Sequence, residues 1–440
     1  MTEPAPPAAR SRGHAASAAR ITASQLSLAA ASYAVLAVAG NALDARAFAA
    51  VTSFYLLLNT AGRGICSAVE LHLTRAVAAD VATGRPASAA LRASRVQVLL
   101  LVVLAVALTL GSEPLLRTVF AGDSTLTVLL AAAVPGLAVA YAVRGRLAGE
   151  RRYSPYAASF VVEALTTVVV GVVLLVVGAH DPRWWALAFI TGPTVAAVVL
   201  VVTVRDARSA APGDAAPRAR PSAASGGSLL AWSVLVLGGS QAVWNLSPVI
   251  LTGRLSDAPG LAAAFASLAL VLRVPVLVFP AAQAVLLPVL TAGSTGASGG
   301  LRLHGALRNV LRTPWPWAAA GALGAWLLAA VFLAPPLVSI VFGSERLTGI
   351  LGPLLLASAT VIGGVATLAQ TALVARGAYR AAGVGWAVAA GVLVVVSRTA
   401  TASVTVAAAA LAVAVLVALG CFAVALRAST TVSVPREVNR

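Results

Sequence analysis

The sequence predicts an all-α integral membrane protein of about 12 transmembrane helices in two parallel six-helix repeats, with N and C termini cytoplasmic. Three observations predict it. Apolar stretches of roughly 20 residues, enough to cross about 30 Å of hydrocarbon, recur along the chain. Arginine crowds every second gap between them. Two short motifs recur in the same order at one offset. A chain that is 60% hydrophobic and 10% charged, with mean hydropathy +0.93, is excluded from the ordinary soluble class.

The apolar stretches, bounded by charge or turn residues, run over 21–43, 47–71, 96–112, 126–143, 156–178 and 184–204, then 229–252, 260–290, 314–333, 349–372, 382–397 and 401–426. The last two are divided at Ser397-Arg398-Thr399. The basic, Ala- and Pro-rich residues 1–20 read as a disordered tail, and 21–43 as a signal anchor without a convincing cleavage site. Residues 205–228, with Pro212, Gly213, Pro217, Pro221, Gly226 and Gly227, read as a flexible cytoplasmic linker. The linker separates an N-terminal bundle (21–204) from a C-terminal bundle (229–427), and a short tail (428–440) follows.

Topology comes from the arginines. Dense gaps hold Arg10–Arg20, Arg75–Arg95, Arg144–Arg152, Arg205–Arg220, Arg302–Arg312, Arg376–Arg380 and Arg427–Arg440. The gaps between carry one each: Arg46, Arg117, Arg183, Arg254, Arg346 and Arg398. Short Arg-rich loops stay cytoplasmic, so the dense set, with both termini, is inside. Net charge +17 would point to nucleic acid in a soluble protein. Here it reads as loop anchoring and contact with anionic lipids, and no nucleic-acid partner is expected.

The repeat is read from Ala47-Phe48-Ala49 against Ala264-Phe265-Ala266, and from Pro114–Phe120 against Pro336–Gly343, both at about 220 residues. Six spans per half, starting on the same side, imply a pseudo-two-fold axis along the membrane normal.

Ionisable groups inside hydrocarbon default to functional candidates. Arg63 and Glu163 each lie about 13 Å in from the inner ends of spans two and five at 1.5 Å per residue, at depths that would let them pair. The pair is either structural or part of a substrate site. Glu70 reads as an interfacial carboxylate facing Arg75. Arg273 lies near mid-bilayer in span eight without a carboxylate in its own half, so a water-filled cavity or an anionic ligand accounts for it better than snorkelling. Aligned on the Ala-Phe-Ala pair, Gly62-Arg63-Gly64 interrupts span two where Pro280 falls in span eight. Interruptions at corresponding places in two halves point to a central site. Asn59, one turn from Arg63, and Gln241 and Asn245 of span seven join the candidate set as hydrogen-bonding groups, with interhelical packing the alternative use.

Cys66 and Cys421 are far apart and lack a CxxC neighbour, so no metal or redox site is expected. His14, His72, His180 and His304 are isolated. With no Walker loop, GxSxG or HExxH, no cofactor and no enzymatic chemistry are expected.

The span-eight run Leu272–Pro280 through Leu287-Pro288, the turn Val341–Gly343, and Gly62-Arg63-Gly64 through Glu70 and Arg75 resemble the multidrug/oligosaccharidyl-lipid/polysaccharide (MOP) exporter superfamily. Within it the chain looks most like the polysaccharide-exporter (O-antigen flippase, Wzx-like) branch. The resemblance covers about Ile21 to Arg427. It implies a V-shaped MATE/MOP-like bundle in the plasma membrane that carries a polyprenyl-pyrophosphate-linked oligosaccharide to the outer leaflet by alternating access. A polysaccharide polymerase or glycosyltransferases would be its partners. Arg63 and Arg273 would hold the pyrophosphate, and Glu163 would position Arg63 or exchange partners with substrate. Two other classes stay open: a cation-coupled drug or metabolite antiporter, which needs carboxylates in the membrane core, and a non-transporting scaffold in envelope assembly, which would be favoured if the arginines were plainly paired.

Overall fold

A computed structural model describes residues 7–84, 88–209, 226–278 and 315–431, and every regular element among them is helical. The first half contains α1 (Pro7–Ala42), α2 (Ala45–Asn59), a π-helical segment (Thr60–Cys66), α3 (Ser67–Ala82), α4 (Ser88–Gly111), the short α5 (Glu113–Val119), α6 (Ser124–Gly149), α7 (Tyr153–Val176) and α8 (Pro182–Ser209). The second half contains α9 (Gly226–Arg254), α10 (Pro259–Leu272) with a 3-10 turn (Val274–Val278), α11 (Trp315–Phe332), the short α12 (Ala334–Phe342), α13 (Leu351–Ala375), α14 (Tyr379–Thr399) and α15 (Val404–Thr431). Pro280 and Pro288 of span eight, and 210–225 of the expected linker, lie outside the described residues.

Ten of these helices are long and apolar enough to cross a membrane, or 11 if the bent pair α11–α12 is one span. The second span expected from sequence is covered by helix broken into α2, the π segment and α3, from Ala45 to Ala82. The chain is therefore a multi-pass membrane protein. The division of the last two spans stands, with Ala400–Ser403 joining α14 to α15. One boundary is corrected: the segment expected as a disordered tail is helical from Pro7. Proline suits a first helical position, and Ala8, Ala9, Ala15, Ala16, Ala18 and Ala19 are strong helix formers. The apolar surface of α4 (Leu99, Leu100, Val103, Leu104) is exposed, as suits a face that meets lipid tails.

The two halves repeat one plan. The paired Pro motifs form short helices, α5 and α12, each immediately ahead of the fourth span of its half. The second span of each half breaks at nearly the same depth, after 15 residues in α2 and 14 in α10. In α10 the break falls at Arg273, ahead of Pro280. Pro275 explains it, since proline lacks an N–H and disfavours α geometry in the residue before it. In the first half the break is a π-helix centred on Gly62-Arg63-Gly64, a widened turn of the kind often found at functional sites.

α9 of the second half packs along α2, the π segment and α3, and α10 packs on α2. The approach is close at the break. A Cβ on Gly64 would stand 2.9 Å from the Gly238 Cα, so only glycine fits there. On the side away from the termini the halves clasp each other reciprocally. α5 rests on the end of α9, with Thr118 against Gly253, and α12 rests on the end of α1. There Asn41 donates to the Val341 carbonyl at 2.9 Å, the Phe342 carbonyl sits over Gly40 where no side chain fits, and Arg46 donates to the Ser256 carbonyl at 3.2 Å.

Candidate functional site

The π segment places Arg63 in a narrow cleft of the first half, about 50 Å³ in volume. Asn59 and Glu163 line it as well, together with Ser32, Tyr55, Tyr141, Thr167 and Phe189. Three of the six candidate residues are thus brought together. The π geometry would leave a carbonyl without its usual donor, and the Ser67 hydroxyl donates to the carbonyl of Arg63. Asn59 donates to the Tyr55 carbonyl at 2.9 Å, which keeps its oxygen free for the cleft.

The Arg63–Glu163 pair is not formed. Glu163 Oε2 instead takes Nη2 of Arg144 at 2.6 Å. Arg144 had the appearance of a cytoplasmic loop arginine, but α6 continues to Gly149 and buries it completely. Its Nε donates to the Ser159 hydroxyl at 2.9 Å, and its guanidinium stacks 4.0 Å from the Phe160 ring centroid and 5.3 Å from that of Tyr141. A buried cation needs such a shell, because desolvation is repaid only when charge and hydrogen-bond partners are both present. Among the described residues Arg63 has neither an ion pair nor a side-chain hydrogen bond. Glu70 does not face Arg75 either: it accepts the Tyr156 hydroxyl at 2.7 Å, while Arg75 donates to the Tyr379 hydroxyl on α14.

Arg273 and Asn245 form the second constellation. Arg273 caps α10, and its Nη1 donates to Asn245 Oδ1 at 2.7 Å and to the Trp244 carbonyl at 3.3 Å. Among the described residues it has no carboxylate partner. The Asn245 amide nitrogen donates at 2.9 Å to the Thr60 hydroxyl, which donates onward to the Leu56 carbonyl at 3.0 Å. One relay therefore runs from the broken end of α10 to the start of the π segment, joining the two halves. The Tyr33 hydroxyl lies in the field of both Arg63 and Arg273, and the two guanidinium groups repel each other. Gln241 packs by its Cβ at the Gly64 crossing and is not among the residues lining the cleft.

The overall fold is also found in proteins of known structure. A multidrug resistance MATE family transporter of the MOP superfamily, in its inward-facing conformation, superposes with TM-score 0.64 at 15% identity, covering 92% of this chain and 96% of that one. The fold is that of the MATE transporters. A MATE structure in a bent conformation gives TM-score 0.61 at 15% identity over 94% and 95% of the two chains. An outward-facing MATE of the MOP superfamily gives 0.58 at 14% identity over 94% and 95%. No protein-family model matches the sequence, and no curated protein matches it.

Sequence reasoning missed Arg144, Tyr141, Tyr156, Ser159 and Thr60. Part of the signal was present: Ser159 and Phe160 lie four and three residues before Glu163, so both fall on its face of the helix. The other strand of the network, Arg144, was hidden among loop arginines.

Proposed function

We propose that this chain is a transporter of the plasma membrane that works by alternating access, and that its cargo is anionic: a polyprenyl-pyrophosphate-linked oligosaccharide moved from the cytoplasmic to the outer leaflet. The observation that carries this reading is Arg63, uncompensated among the described residues, in a cleft within the span region and close enough to Arg273 for the two to repel. An unpaired guanidinium in low dielectric is costly, and a pyrophosphate would relieve it with bidentate hydrogen bonds. Two cations, one from each half and near enough to act on each other, suit a diphosphate bridging both halves. The MATE fold supports the alternating-access part, since solved relatives of that fold are described as inward- and outward-facing. The clasp would then close the outer face, with the termini cytoplasmic. Anionic lipids would meet the inner arginines, and polymerase or glycosyltransferases would be the partners in glycan assembly.

A cation-coupled drug antiporter is the second reading, favoured by the multidrug description of a neighbour of the same fold and by Glu163 in the cleft. Against it, that carboxylate is already neutralised by Arg144. The test is reconstitution into vesicles with a fluorescent polyprenyl-pyrophosphate glycan, whose accessibility to a membrane-impermeant quencher reports flipping. Wild-type protein should accelerate flipping, and the Arg63→Gln and Arg273→Gln variants should abolish it at equal protein density. Wild-type rates in the double variant, or uptake of a cationic dye in place of the glycan, would overturn the reading.

A further inference from the structure

The buried network around Arg144 holds one guanidinium for two carboxylates. Glu163 on α7 is taken by Arg144 at 2.6 Å. Glu70 on α3 has, among the described residues, a single side-chain hydrogen bond, from the Tyr156 hydroxyl to Oε1 at 2.7 Å, which leaves Oε2 open. Arg144 acts on Glu70 only from a distance. Glu70 cannot draw back from the cluster, because its backbone lies against Gly145, where a Cβ would approach the Glu70 carbonyl to 2.6 Å. Tyr141 of α6 faces the same space. α4 meets α3 through Ser94 and His72 at 3.0 Å, and its Arg92 and Arg95 are exposed. α9 carries no charge before Arg254 at its far end. Arg63 of the π segment shares the cleft with Glu163.

An ionised Glu70 would face a single hydroxyl donor and no directly bonded cation within the span region, which is unfavourable. We propose that Glu70 is a proton-binding site that sets the anion affinity of the cleft. With a proton on Oε2, Glu70 is neutral, Arg144 belongs to Glu163, and Arg63 is left free for the anionic cargo; the Arg144–Glu163 pairing is the one the structure holds. When the proton passes to water, the Glu70 carboxylate competes for Arg144. Glu163 is then released to the neighbouring Arg63, where it displaces the cargo. One proton is exchanged for one anion-binding site, with no other reactant. Glu70 is part-exposed, so water can reach it. The effect on cargo rests on the anionic-cargo reading above; the proton site itself does not.

The test uses the full chain in lipid nanodiscs and two measurements between about pH 6 and about pH 8. Infrared difference spectra should show a protonated carboxyl band that fades as pH rises, absent in Glu70→Gln and kept in Glu163→Gln. Calorimetric binding of inorganic pyrophosphate should weaken with rising pH by up to about tenfold per unit, the limit for one linked proton, and should be flat in Glu70→Gln. A wild-type band or a wild-type pH slope in Glu70→Gln overturns the proposal. Absence of pyrophosphate binding by wild-type protein at every pH overturns the anionic-cargo reading instead, and the infrared band then decides the proton site alone.

Discussion

Arg144 holds Glu163 at 2.6 Å, and by doing so leaves Arg63, which lines the same cleft as Glu163, without a counter-ion among the described residues. The two arginines therefore have different jobs. One is consumed in holding α6 to α7; the other is available to a ligand.

Removing Arg144 should damage the fold. Arg144→Met strands a buried carboxylate, and breaking one side of such a pair costs about 3–5 kcal/mol. Thermal unfolding in detergent should show a large drop, mostly restored in the double variant Arg144→Met/Glu163→Leu. Arg63→Gln should move the midpoint little. Equal losses for Arg63→Gln and Arg144→Met would contradict the division of roles.

The relay through Asn245 makes a sharper prediction. Asn245→Ala leaves Arg273 and Thr60 each short of a partner, at about 1–3 kcal/mol for a buried polar group left unsatisfied. Asn245→Asp should preserve stability, since the carboxylate pairs with Arg273, yet it should abolish binding of pyrophosphate because the cation is neutralised. Calorimetric titration of both variants separates the two effects.

At the crossing of the halves, Gly64→Val should be severe. Its side chain has no room against Gly238, so the π segment must move off α9. Gly111→Ala is the matched control, because nothing stands near Gly111 and alanine favours a helix. Yield of monodisperse protein and thermal midpoint are the readouts; a tolerated Gly64→Val would mean that the halves are not in contact there.

Acid sensitivity should trace partly to the loop ahead of α6. Burial pushes the Asp123 carboxyl up, but hydrogen bonds from Arg183 at 2.7 Å and from the Thr125 N–H at 2.9 Å outweigh it and hold the group below its ordinary value. A depressed carboxyl contributes stability above its unfolded value and loses it as pH falls through the folded one. The contribution is small, because Arg183 is exposed. Thermal midpoints measured from neutral pH down to about pH 3 should fall less steeply for Asp123→Asn than for wild type.

The all-helical multi-span architecture, the repeat and the broken second helices were legible because each has a local cause: length of apolar run, motif offset, and Gly-Arg-Gly or Pro inside a span. Arg63, Asn59 and Glu163 lie together in the cleft for the same reason, since the break and helical depth are local quantities. The partner of Glu163 was not legible. A basic residue near a span end reads as a loop anchor by composition, and only the length of α6 reveals that Arg144 is inside the bundle. The Arg273–Asn245–Thr60 relay joins residues far apart in sequence, so no window along the chain could show it. The N-terminal helix was missed because its arginines outweighed its alanines in a reading based on polarity.

The crossed seating of α5 on α9 and of α12 on α1 bears on how this face can part. Each half carries the bolt that secures the other, so neither can swing away while its counterpart stays shut. Half-open intermediates would break Asn41–Val341 yet keep Thr118 over Gly253, or the reverse, gaining no passage for the bonds lost. The two bolts are thus bound to withdraw together, and a change in one of them should be answered by a change on the far half rather than on its own.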